Sequence, residues 1–217
     1  MLVALGAIAL GATGPAFAAD REPLSKVFKY LDVYLGLAPA QRSHFRLVFR
    51  ALRDERPAPD LQATMIGADG ARRPLLLNAA GEVVNLPGLG DLKGGGQLEI
   101  ANAQGIRFAT EIRPDVAPAQ RLDVGALVQS LDQANAAIAH LAGAFAVMAP
   151  KLDSIVFPDG GTGVAAFGDG RVAPLPITTS LKTLGPTPYF QPFNMGQARV
   201  ISLSREPSRI IMAVRPH

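Results

Sequence analysis

The chain has 217 residues, no cysteine, no tryptophan, and 21 basic against 18 acidic side chains, a formal charge of +3. Lack of cysteine excludes disulfides, thiol nucleophiles, thiolate metal sites, iron–sulfur clusters and a lipid-modified N-terminal cysteine. The mild charge, the three tyrosines and the absence of basic runs longer than two argue against nucleic acid, which asks for concentrated basic charge interleaved with aromatics.

Residues 1–18 carry no ionisable side chain, with an apolar run from Leu2 to Ala12, breakers at Gly14 and Pro15, and the small-x-small triplet Ala16-Phe17-Ala18. That pattern predicts a cleaved secretory signal and a mature chain from about residue 19, although no Lys or Arg precedes the run. The run is shorter than the ~20 apolar residues a membrane span needs, so no integral membrane segment is expected in the mature chain. Arginine outnumbers lysine 16 to 5, a bias of GC-rich bacterial genomes. The expected location is the bacterial periplasm or the cell exterior.

Leu24, Val27, Phe28, Leu31 and Leu35 recur at helical spacing, with Gly36 and Pro39 as stops, so residues 24–35 are expected to form a short amphipathic helix. The period then changes. Phe45, Leu47, Phe49 and Ala51 alternate with His44, Arg46, Val48 and Arg50, the two-residue rhythm of a half-buried strand. Further short strands follow around Gly67-Ala-Asp-Gly70 and in "PLLLNAAGEVVNLP" (74–87). "QLEIA" and "IRFATEI", separated by "NAQG", form an expected hairpin. This density of strands and turns indicates an antiparallel sandwich or barrel-like sheet.

One long helix is predicted over about 123–149, with Asp123 as N-cap and a stripe through Val124, Leu127, Val128, Leu131, Ile138, Leu141, Phe145 and Met148. Strand rhythm returns in "SIVFP", in "GVAAF" and "RVAPLP" around Gly168-Asp-Gly170, and in "ARVISLS" and "RIIMAV", which read as a closing hairpin. The fold class is therefore α+β: antiparallel sheets with one long helix packed on them. After residues 1–18, one compact unit spans 19–217, with two β sub-units (about 40–115 and 151–217) joined by the long helix. Residues 74–87 and 163–176 also match at a shift of 89, sharing Gly81/Gly170, Val83/Val172, Leu86/Leu175 and Pro87/Pro176. Duplication predicts such a match, but hairpins also converge on it because tight turns want glycine.

The junction "HLAGAFAVMAPKLDSIVFPDGGTG" resembles a family of uncharacterised proteobacterial envelope proteins, over about residues 122–176. The resemblance implies an exported bacterial protein and carries no activity with it.

Motifs of catalysis are scarce. His44, His140 and His217 lack metal-ligand spacing, G-x-S-x-G is missing, and "FPDGGTGVAAFGDGR" has glycines without the Lys-Ser/Thr ending of a phosphate loop. Asp159 and Asp169 read as turn residues. Glu99 and Glu111, on strands expected to be adjacent, form the one candidate carboxylate pair. His44, Arg46 and Arg50 share one side of their strand and form the candidate site for an anionic partner: an envelope protein, an acidic glycan or lipid headgroups. The same charges would also serve to guard a strand edge. The resulting expectation is a non-enzymatic envelope binding protein without cofactor or metal. Two other classes stay open: a carrier with a hydrophobic ligand between helix and sheet, and a cofactor-free hydrolase.

Overall fold

The computed structural model of the protein describes residues 20–142, 151–179 and 184–214. The expected signal segment, the helix residues beyond 142 and His217 lie outside these ranges. The class is α+β with antiparallel strand pairing throughout the described residues.

Among the described residues three sheets make up the body. The N-terminal sheet has the order β1-β6-β4-β5, from Asp20–Pro23 (β1), Gln97–Ile100 (β6), Ala63–Ile66 (β4) and Arg72–Pro74 (β5). The C-terminal sheet has the order β8-β14-β10-β11, from Arg121–Asp123 (β8), Ala198–Leu203 (β14), Gly163–Phe167 (β10) and Val172–Pro174 (β11). The central sheet runs Ile177–Thr178 (β12), Thr187–Phe190 (β13), Ser154–Val156 (β9), Ile211–Ala213 (β15), Ile106–Pro114 (β7), Phe45–Arg53 (β2) and Arg56–Pro57 (β3). Leu24–Val27 (α1) and Leu31–Gly36 (α2) follow β1. Leu89–Lys93 (α3) precedes β6, Val124–Ala142 (α4) follows β8, and Pro192–Met195 (α5) precedes β14.

The two small sheets are the same unit built twice. In the first, Arg21, Glu99, Thr64 and Pro74 lie in register across four strands; in the second, Arg121, Ser202, Val164 and Pro174 do. The next row is Glu22, Leu98, Met65 and Arg73 against Leu122, Ile201, Ala165 and Ala173. The turns agree too. Gly70 and Gly170 both have positive φ (81° and 85°), and Asp69 and Asp169 each accept a bond from the backbone N–H two residues on. Leu75 and Leu175 donate to the carbonyls of Ala63 and Gly163 at 2.8 Å. The shift is thus 100 through the hairpin (70 to 170, 75 to 175) and 103 in the strand after it (99 to 202), which corrects the shift of 89 suggested by the sequence. Glycine turns look alike wherever they occur, so a turn match alone cannot set the frame.

Each unit runs strand, helix, strand, hairpin, strand, strand. The last strands, β7 and β15, pair side by side at Ile112 and Met212, again 100 apart (112 to 212), and this joins the units into one sheet. One apolar cluster surrounds Leu24, Phe28 and Leu31 with Phe49, Met65 and Leu98. The other surrounds Val124, Leu127, Leu131, Ala134 and Ala137 of α4 with Ile155, Phe157, Phe190 and Ile201. Burying a side chain such as Leu127 contributes about 2–3 kcal/mol. That sum over one face holds a helix containing Gly125, whose intrinsic propensity is poor. Asp123 caps α4 as expected, its Oδ1 accepting from the Ala126 N–H at 2.8 Å. Among the described residues no helix is long and apolar enough to cross a membrane.

Three sequence expectations change. The single helix 24–35 is broken at Tyr30, which takes a left-handed φ of 68°. That strain is offset by burying Leu24, Phe28 and Leu31 completely. The expected hairpin of 97–100 with 106–112 does not exist: β6 belongs to the N-terminal sheet and β7 to the central one. β14 and β15 part in the same way. Alternation reports which side of a strand faces the core, not which strand lies beside it.

Gly81 (φ 73°) closes the 78–82 turn against β2. A β-carbon there would stand 2.8 Å from the Ala51 carbonyl oxygen, whereas one at Gly170 would meet nothing within 4 Å. Gly170→Ala is expected to cost only the left-handed strain, about 1 kcal/mol. Gly81→Ala should cost at least twice as much in urea unfolding, because backbone must shift as well.

Candidate functional site

The alternation of β2 places Phe45, Leu47, Phe49 and Ala51 in the core, so His44, Arg46 and Arg50 share the opposite side. Their surroundings differ. The His44 ring Nε2 lies 3.0 Å from the Gln129 side-chain nitrogen on α4. Arg46 is 52% exposed, 3.7 Å from Asp115. Arg50 is buried, bonding to Glu111 Oε1 at 3.2 Å and to the Ala80 carbonyl. Of the three, only Arg46 reaches freely into solvent. Sequence reasoning missed the cover over Arg50 because it comes from the 78–82 turn and from Arg209, both remote in the chain.

Around Arg50 lies a buried ionic cluster. Arg113 bonds to Glu82 at 2.6 Å and to Glu111 at 2.5 and 2.8 Å, and Arg209 donates to Glu111 at 3.2 Å. Three guanidinium groups meet two carboxylates. Burial, above all, and the nearby charges of Arg50 and Arg113 push the Arg209 guanidinium below its ordinary pKa, against the pull of Glu111. Burial by itself raises Glu82. Hydrogen bonds from Asn78 and Arg113 and the charges of Arg113 and Arg50 outweigh it, so the carboxyl sits below its usual value. The cluster rivets the 78–82 turn and the segment before β15 onto β7. Its bonds are internal, and its work is to hold the two units together.

A more open arrangement lies on the outer face of the N-terminal sheet. Met65 and Leu98 point into the core, which turns Thr64, Arg72, Glu99 and Arg21 outward by the two-residue period. Arg21 donates to Glu99 at 2.9 Å through Nε, and Arg72 donates to the other carboxylate oxygen. The hydrogen bond from Arg72, then that from Arg21, hold the Glu99 carboxyl below its ordinary pKa. Both guanidinium groups remain about half exposed, at 56% and 52%. Beside them opens a cleft of about 410 Å³, lined by Leu61, Gln62, Thr64, Pro74, Leu75 and Glu99, among others. It combines an apolar shelf with an amide, a hydroxyl and a fixed carboxylate.

The carboxylate pair suggested by the sequence does not form. Glu99 and Glu111 occupy strands of different sheets, each tied to its own arginines. His140 is exposed on α4, remote in the chain from His44. Among the described residues no three His, Cys, Asp or Glu side chains gather to hold a metal ion. Asp159 and Asp169 are turn residues, at a positive φ of 63° and before Gly170 respectively.

No protein-family model, no curated protein and no solved structure matches the chain.

Two outcomes follow. Arg113→Ala removes one partner of a buried ionic cluster and is expected to destabilise by about 3–5 kcal/mol. Arg46→Ala breaks a long exposed pair and should change urea-unfolding stability by less than about 0.5 kcal/mol. As for pH, Glu82 and Glu99 have folded pKa values below their unfolded ones. Their stabilisation is therefore complete above the unfolded value, about 4.3, and is lost as pH falls through the depressed folded value. Melting temperature should be level above about pH 5 and drop below about pH 4. Glu82→Gln should lower it at neutral pH and shallow the acid drop.

Proposed function

We propose that the chain is a non-enzymatic exported binding protein of the bacterial envelope, and that its ligand is an acidic glycan received on the outer face of the N-terminal sheet. The observation that supports this reading is the contrast between the two copies. Arg72, Glu99 and Thr64 correspond in register to Val172, Ser202 and Val164. The fold is built without the polar set in one copy, so folding alone does not ask for it in the other. Guanidinium groups suit carboxylate and sulfate recognition. The neighbouring amide, hydroxyl and apolar shelf suit a sugar ring, with its polar edge and apolar face. Glu99, bound by two arginines, orients them and is kept ionised. The residues and apolar run before Asp20 support export, as does the resemblance of residues 122–176 to envelope proteins.

The reading is tested on immobilised heparin as an acidic glycan probe. The mature chain should be retained at low ionic strength, and the double variant Arg21→Glu with Arg72→Glu should elute at much lower salt. Arg46→Glu, outside this face, should elute with the parent. Equal elution of parent and double variant would place the anion site elsewhere.

A further inference from the structure

The C-terminal sheet has an outer face of the opposite character. Val164, Ala166, Val172, Pro174 and Val200 point away from the core, since their neighbours Ala165, Ile201 and Leu122 are buried. Val172 is 61% and Val164 37% exposed. Water-facing valines on three adjacent strands form a patch, and contiguous exposed apolar surface marks a contact site. The N-terminal copy carries Thr64, Arg72 and Gln97 at the positions of Val164, Val172 and Val200, so this unit folds without the three valines.

Charge indicates what covers the patch. Arg121 corresponds to Arg21, but the residue in register beside it is Ser202 where the first copy has Glu99. Arg121 thus has no carboxylate within ion-pair distance among the described residues, and neither does Arg199 at the turn end of β14. Arg171 stands over the Phe167 ring, 4.5 Å from its centroid, with Asp169 as its ion-pair partner. α5, which leads into this same end of β14, bears Phe193, 96% exposed. Apolar side chains rimmed by Arg121 and Arg199, with Asp123 beside Val200 engaged by the Ala126 N–H, complement a surface that is oily within and anionic at its boundary. A second copy of the chain would instead bring arginines against arginines, and the whole chain is already at +3.

We propose that the outer face of the C-terminal sheet docks on an anionic lipid surface, with Val164 and Val172 entering the headgroup boundary and Arg121 and Arg199 contacting lipid phosphates. The proposal uses a different sheet from the glycan cleft and does not depend on it.

The test is sedimentation of the mature chain with vesicles of equal parts phosphatidylglycerol and phosphatidylcholine, and with phosphatidylcholine alone. Binding is expected to the mixed vesicles, to weaken with added salt, and to be near background on phosphatidylcholine. Arg121→Glu with Arg199→Glu should lower partitioning about thirtyfold or more, at roughly a fivefold factor for each surface charge removed and further loss on reversal. Val164→Asp with Val172→Asp, both on the solvent side and so compatible with folding, should bring it to background. Arg21→Glu with Arg72→Glu should leave vesicle binding close to that of the parent. Failure to sediment with the anionic vesicles, or unchanged sedimentation of the valine variant, overturns the proposal. So does a parent that is dimeric by light scattering while the valine variant is monomeric, which would make the patch a self-interface.

Discussion

The antiparallel contact between β7 and β15 is what the rest of the molecule stands on. Each repeated unit has one small sheet, a helical element and its own share of the central sheet, three strands from the first and four from the second, and neither could close its apolar side alone as well as the pair does. Because Ile112 and Met212 pair across the joint, the central sheet becomes one wall shared by two cores. Ile112 packs against both clusters. The helices then fill the two angles between that wall and the small sheets. Short strands, many of three or four residues, become stable in this setting because the sheets they belong to border filled cores.

Ionic groups secure the joint on the side away from those cores. Burying Arg50, Arg113, Arg209, Glu82 and Glu111 together carries a desolvation cost that good geometry only partly returns. What the cluster adds is specificity of assembly. A buried carboxylate with two or three arginines in reach has few alternative positions, so the 78–82 turn and the chain before β15 are placed relative to β7. The surplus cation in the cluster shows in Arg209, whose guanidinium is pushed down by burial and by its like-charged neighbours.

Duplication also separates what folding needs from what it does not. On the two inner strands of each small sheet, and at the residue after the hairpin, inward positions keep an apolar character in both copies: Met65 and Ala165, Leu98 and Ile201, Leu75 and Leu175. Outward positions share the same backbone, and apart from Arg21 and Arg121, Pro74 and Pro174, they diverge: Thr64 against Val164, Arg72 against Val172, Glu99 against Ser202. A protein built this way offers two faces of different chemistry on units joined through one sheet.

Much of this was legible in the residues before any coordinates. The alternation of Phe45 to Ala51, the Asp123 cap, the stripe of Val124 to Leu131 and the turn at Gly168 to Gly170 are local patterns, and local patterns are set by neighbours in the chain. The break at Tyr30 was not visible, since Leu24, Phe28 and Leu31 keep helical spacing on either side of it. The charged face of β2 was read correctly as one side of a strand, but the burial of Arg50 under the 78–82 turn depends on residues thirty positions or more away. The same holds for strand partners: β6 and β7 adjoin in sequence yet part into different sheets. Composition and periodicity thus determined the class, the inward faces and the chemistries for which this chain lacks residues. Tertiary structure alone decided the frame of the repeat, the pairing of arginines with carboxylates and which outer faces stay open to water, because these depend on contacts between segments whose separation along the chain leaves no local trace.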